Sequence, residues 1–253
     1  MRPVYQLARS WGYEDGAWNQ EAREASTRSG QRKLGITAAD RGLGKDGAQV
    51  GYGEITMGGA NMLLKVFSEL ATGKLTRIPL PGLLTSEQQQ ACLLSSSSRF
   101  LDVGSGLGKL VLHMTLATGC FAAGVEIVSN RVKLAVEFRD KLVEKKKVPA
   151  WVAQTTSFVA ANAATEKGPL LVNGAHATHI YMFSVVFSDH DLGLLAARLN
   201  KTDFKVLICA LKHRHEKTLF KLTNAFQAVP VEVSMTGGGQ HFKMCVFIKL
   251  GAH

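Results

Sequence analysis

Cysteine and proline are scarce in this chain, and neither is placed to build a scaffold. Cys92, Cys120, Cys209 and Cys245 are too scattered for a zinc site and too few for a disulfide framework. They read as reduced, buried thiols of a nuclear or cytosolic protein, and no metal is expected. Long apolar runs are missing as well: nothing approaches the roughly 18 uninterrupted apolar residues of a membrane-spanning helix. The start MRPVYQLARSWGYEDG lacks the apolar middle of a secretory signal, so a soluble, unexported protein without a membrane partner is expected. The 25 glycines follow no fixed period and no heptad run persists, which excludes collagen-like and coiled-coil chains.

What is present suits one generous domain. The chain has 253 residues, 46% of them hydrophobic, ample for a single core. Lys and Arg number 30 against 20 Asp and Glu, a net charge of +10. That excess fits either an acidic partner such as nucleic acid or a lysine-rich solvated surface.

Residues 1–50 are rich in Gly, Arg, Ser and Ala and have almost no apolar period, so they read as a flexible arm ahead of a domain over 51–253. Trp11, Tyr13 and Trp18 are its candidate anchors, on the body or on a partner. From Ile55 to about Glu69, Met62, Val66, Phe67 and Leu70 recur near helical spacing. A short helix is expected around Glu87 to Leu94, and the serine run Ser95–Ser98 reads as a linker into a strand.

After Arg99, short apolar runs alternate with longer amphipathic ones, the pattern of a parallel sheet with crossover helices. The predicted strands are FLDV, FAAGVE, AWVAQT, THIYMF and FKVLICA. Between the second and third, SNRVKLAVEFRDKLVEKKK sets Val132, Ala135, Val136, Leu142 and Val143 on one helical face, with Ser129 as N-cap. VPVEVSM, TGGGQ and HFKMCVFIKL then read as an antiparallel hairpin. An α/β Rossmann-like sheet, mostly parallel and closed by a C-terminal hairpin, resembles the class I S-adenosylmethionine-dependent methyltransferases.

The sharpest local signal is FLDVGSGLGK, Phe100–Lys109: a strand, then Asp102, then Gly104, Gly106 and Gly108 before a helix. Such glycines let the backbone turn tightly and approach a ligand, and the amides of the helix start face it. The dinucleotide pattern G-x-G-x-x-G fails here, because position 109 is lysine, and no Walker phosphate loop follows. A retained Asp102 beside the loop suits a zwitterionic amino-acid moiety. Glu126, ending the second strand, is placed to accept hydrogen bonds from a ribose diol. Strand, loop, helix, strand and terminal acid in this order point to S-adenosylmethionine; glycines serving only close packing are the alternative. In this fold the residue after the third strand meets adenine, so Phe158 is set against the ring and Ser157 against its amino group, or else Phe158 is a core residue.

Tyr52, Gly53 and Glu54, upstream of FLDVGSGLGKLVLHMTLATGC, GVEI and a helix carrying Asn130 and Arg131, resemble the disruptor-of-telomeric-silencing family. These are the non-SET histone lysine methyltransferases, and the resemblance spans roughly 51–187. It implies that Tyr52, Gly53 and Glu54 fold over the methionine end of the cofactor. Asp102, Gly104, Ser105 and Gly106 would form the cofactor loop, Glu126 the ribose acid and Phe158 the aromatic beside adenine. It also implies a nuclear protein with a histone or nucleosome as partner. The chain departs from the family where Ser157 replaces an acid, where Lys109 replaces glutamine, and where Tyr181–Phe187 replaces an Asn-Asn-Phe stretch lining the lysine channel.

Methyl transfer to an amine needs alignment and a neutral nucleophile more than an acid–base pair. An apolar aromatic tunnel strips water from the amine and lowers its pKa. Tyr181, Phe183 and Phe187 are its candidate walls, with Glu54 and Ser184 as polar rim contacts; core packing explains the same aromatics. The segment Lys201–Lys221 holds Lys205, Lys212, Arg214, Lys217 and Lys221; on a helix, Arg214, Lys217 and Lys221 share one face, either touching DNA phosphates of a nucleosome or merely a solvated crossover. Lys145–Lys147 form a second cluster.

Overall fold

The computed structural model describes Val4 and residues 55–73, 84–165, 170–211, 219–235 and 241–250. The arm over 1–50, apart from Val4, lies outside these residues, as do Tyr52–Glu54, the segment 212–218 and the turn 236–240.

Helix α1, Met57–Ala71, starts at Thr56, whose hydroxyl accepts from the Gly59 amide at 3.0 Å. It buries Leu63, Val66, Phe67 and Leu70, while Met62 is exposed, one position off the predicted stripe. Helix α2, Ser86–Gln90, is closed by a reciprocal capping box between Thr85 and Gln88. The serine run then turns into β1, Arg99–Val103, with Ser98 Oγ accepting from the Ser95 amide at 3.0 Å. Helix α3, Lys109–Thr118, leads to β2, Phe121–Glu126, and helix α4, Ser129–Glu144, follows.

The predicted strand AWVAQT is a helical turn: α5 spans Trp151–Thr155, and β3 begins only at Thr156 and runs to Ala160. Pro149 stands just before that turn, where its fixed φ favours helix entry, and its carbonyl accepts from the Val152 amide at 3.1 Å. The N-cap of α4 is Val128 rather than Ser129, and its buried side is Arg131, Ala135, Phe138 and Leu142. A small antiparallel ribbon, β4 (Leu171–Val172) with β5 (Ala175–His176), turns at Asn173 and Gly174, both at positive φ. β6, His179–Phe183, passes through a 3-10 turn at Ser184–Val186 into α6, Asp189–Asn200, and then β7, Val206–Ala210.

The hairpin strands are β8, Ala225–Ser234, and β9, His241–Lys249. β8 starts earlier than predicted and absorbs Pro230 in an irregularity between Ala228 and Val231, tolerable because it is the sheet's edge. The sheet order is β3-β2-β1-β6-β7-β9-β8, parallel from β3 to β7, with β9 antiparallel to both neighbours.

Alternate residues feed two cores. Phe100, Ala122, Tyr181 and Ile208 face α1 and α3; Leu101, Ala123, Ile180 and Leu207 face α6. Each fully buried Phe or Leu side chain contributes about 1.5–3 kcal/mol. Val4 is fully buried with Leu112, Phe138, Leu142, Val148 and Val152, so at that position the arm packs on the body. Among the described residues no helix is long and apolar enough to cross a membrane.

Candidate functional site

At the carboxyl edge of β1 and β2, the loop Gly104–Gly108 is tied down by β2. The amides of Gly104 and Ser105 both donate to the Val125 carbonyl, at 2.7 and 3.1 Å. The Gly106 amide donates to Glu126 Oε2 at 2.9 Å, and the Val128 amide to Glu126 Oε1 at 3.0 Å. Arg131 Nη1 lies 3.5 Å from Oε1, with both side chains buried. The predicted ribose acid is therefore also the clasp of the glycine loop. Asp102 is buried at the end of β1, in register with Gly124. Ser105 Oγ is buried and has no hydrogen-bond partner, a polar atom the loop itself does not satisfy.

Phe158 is placed differently from expectation. The strand shift puts it inside β3, opposite Gly124, with Ser157 exposed and opposite Ala123. A Cβ on Gly108, whose φ is +71°, would stand 2.2 Å from the Phe158 ring, and one on Gly124 would stand 2.9 Å from it. The ring thus fills a slot that two glycines leave between loop and sheet, and it packs on both the α1–α3 core and the α4–α5 core. The position past the strand, on which the adenine assignment rested, belongs to Ala161 and Asn162, since Ala160 is still paired with Glu126.

Asn162 was not singled out from the sequence. Its Nδ2 donates to Asp191 Oδ1 at 3.2 Å, and its Oδ1 accepts from the Ala164 amide at 2.9 Å. Asp191 Oδ2 in turn accepts from Ser188 Oγ at 2.8 Å, and Arg198 Nη1 donates to the carbonyls of Ala163 and Thr165. The available signal was S-D-H-D at 188–191, a helix start with acids in its first turn.

The acceptor candidates separate. Phe187 reaches the loop: a Cβ on Gly104 would meet its ring at 3.7 Å. Phe183 is half-buried, stacked edge-on against Phe242 at 4.9 Å. Ser184 is not a rim contact; it is fully buried and its Oγ donates to the Ala210 carbonyl at 2.6 Å. Tyr181 is buried in the α1–α3 core, its hydroxyl 3.6 Å from Met235 Sδ. Glu54, Lys212, Arg214 and Lys217 lie outside the described residues; Lys205 and Lys221 are exposed.

A parallel sheet in this order, reversed by a terminal hairpin, with a glycine loop after β1 and an acid ending β2, defines the class I methyltransferase fold. Within it, residues 65–165 match the family model of the histone methylation protein DOT1, less than half of the chain but including the loop and Glu126. Among solved structures, the chain is similar to the magnesium protoporphyrin IX methyltransferase of Synechocystis PCC 6803 with bound SAM, at 12% identity and TM-score 0.47, covering 79% of this chain and 86% of that one. It is also similar to M. capricolum TrmK in complex with S-adenosyl-homocysteine, at 11% identity and TM-score 0.47, covering 67% and 71%. No curated protein matches the sequence significantly.

Proposed function

We propose that this chain is an S-adenosylmethionine-dependent protein lysine methyltransferase acting on a core histone in chromatin. One observation carries the reading: the segment that matches the DOT1 model holds, in one stretch, a glycine loop clasped by the buried Glu126. The site fits such a cofactor on its own terms. Gly104, Gly106 and Gly108 all have positive φ, which turns the loop tightly after β1, and Ser105 Oγ is a buried polar atom without a partner among the described residues.

When bound, the cofactor supplies a methyl group carried on a sulfonium. The chain's own residues then have separate tasks. Glu126 would offer remaining lone pairs to the ribose hydroxyls, Asp102 would stand beside the amino-acid end, and the family resemblance assigns Tyr52, Gly53 and Glu54 to close over it. The loop after β3, at Ala161 and Asn162, would take the adenine side. Phe187, whose ring lies by Gly104, excludes water where the acceptor amine arrives, which favours the neutral nucleophile. The net charge of +10 and the exposed Lys205 and Lys221 suit an acidic nucleosomal partner.

Radiolabelled S-adenosylmethionine offered with nucleosomes, free histones, total RNA and a metabolite extract tests the reading. Label is expected in histone lysine. Label in RNA or metabolites alone refutes the histone acceptor, and binding without transfer to anything identifies a non-catalytic chromatin module.

A further inference from the structure

Arg131 sits where its own helix gives it no welcome. It is the third residue of α4, in the first turn, where the helix dipole favours anions and disfavours a guanidinium. Its side chain is only 11% exposed, so water does not compensate it either. What faces it is Glu126 Oε1 at 3.5 Å. That oxygen also accepts from the Val128 amide at 3.0 Å, while Oε2 accepts only from the Gly106 amide at 2.9 Å. A carboxylate oxygen has two acceptor directions. The Val128 amide bonds Oε1 and the Arg131 charge stands beside that same oxygen, so Oε2, on the side of the glycine loop, is the more open of the two.

We infer that Arg131 is a positioning residue for the ribose diol: by its ion pair with Oε1 it holds the Glu126 carboxylate so that Oε2 is presented to a nucleoside hydroxyl. The inference rests on the S-adenosylmethionine reading and adds to it a residue that acts on the ligand through Glu126. A guanidinium approaches that oxygen as a rigid plane; an ammonium on a flexible stem keeps the charge but not the direction of approach. Arg131 therefore governs how well ligands with and without ribose hydroxyls are told apart, which a purely structural arginine does not.

Calorimetry with S-adenosylhomocysteine and its 2′,3′-dideoxy analogue, on the full chain and on R131M and R131K, tests this. The unaltered protein is expected to prefer the natural ligand by about tenfold or more, the worth of a hydrogen bond to a charged group. In R131M the preference falls to about twofold or less, through weaker binding of S-adenosylhomocysteine with the analogue hardly affected, and R131K lies between. An R131M protein that keeps the full preference, or loses affinity for both ligands equally, overturns the proposal. Should R131M not fold, R131K decides: an undiminished preference there overturns it in the same way. Failure of the unaltered protein to bind either ligand instead overturns the cofactor reading, and the inference with it.

Discussion

Replacing Gly108 by alanine sets a methyl group against the ring of Phe158, and the structure allows the cost to be divided in advance. The new Cβ would lie 2.2, 2.5 and 3.1 Å from three ring atoms, so the ring has to leave its slot. Overpacking of this kind costs about 1–3 kcal/mol. The left-handed backbone at φ +71° adds a second cost of about 1–2 kcal/mol for any residue with a Cβ. Gly108→Ala should therefore destabilise by about 2–5 kcal/mol. Phe158→Ala alone should cost somewhat less than the roughly 3–5 kcal/mol of a fully buried ring, because Phe158 is only half-buried. In the double variant the packing conflict is gone and only the backbone cost of Gly108→Ala remains, so the two losses fall short of additive by about 1–3 kcal/mol. Urea titration of the four proteins measures this coupling. A coupling below about 0.5 kcal/mol would refute the claim that this glycine exists to admit the ring.

Glu126→Ala removes the acceptor of two backbone amides and an ion-pair partner of Arg131, so S-adenosylhomocysteine affinity in calorimetry should fall at least about tenfold. An unchanged affinity would displace the loop as the cofactor site. Burial lowers the pKa of His179, and likewise of His113, from 6.5 to about 4. The folded protein refuses a proton that the unfolded chain accepts below 6.5, so stability is complete above that pH and is lost as pH falls towards 4, by about 1.4 kcal/mol per unit for each ring. Urea midpoints between pH 7 and 5 should show this slope, and His179→Gln should flatten its share. Ser184→Ala orphans none of the cofactor loop but removes the donor to the Ala210 carbonyl, costing about 1 kcal/mol in denaturation with ligand affinity unaltered. Burial raises the Cys92 thiol to about 11, and all four cysteines are buried, so the native protein should resist iodoacetamide at pH 8 until denaturant is added.

The strand–loop–helix–strand unit from Phe100 to Glu126 was legible because each of its signals is local: an apolar run, three glycines and a terminal acid. The third strand was not. AWVAQT is an apolar run that reads as a strand, but Pro149 begins a helical turn there, and the true strand TSFVA is a short, largely exposed edge that opens on two polar residues. That single shift moved Phe158 from the strand's end to its middle. Ser129 looked like a cap, yet the helix already includes it: Val128 is the N-cap, without a side-chain cap bond, and its amide is taken by Glu126 two residues before it. Asn173–Gly174 is a common hairpin turn signal that was present and went unread. Tyr181 and Ser184 carried the right chemistry for a channel, but which face of β6 Tyr181 occupies, and what Ala210 demands of Ser184 in the turn beyond it, depend on packing between strands distant in sequence.

One helix start also ties two stretches of chain together. Asp191 holds Asn162 with one oxygen and Ser188 with the other, so the stretch leaving β3 and the stretch bearing Phe187 hang from a common peg. Neither is placed independently of the other, since a single carboxylate in the first turn of α6 carries both.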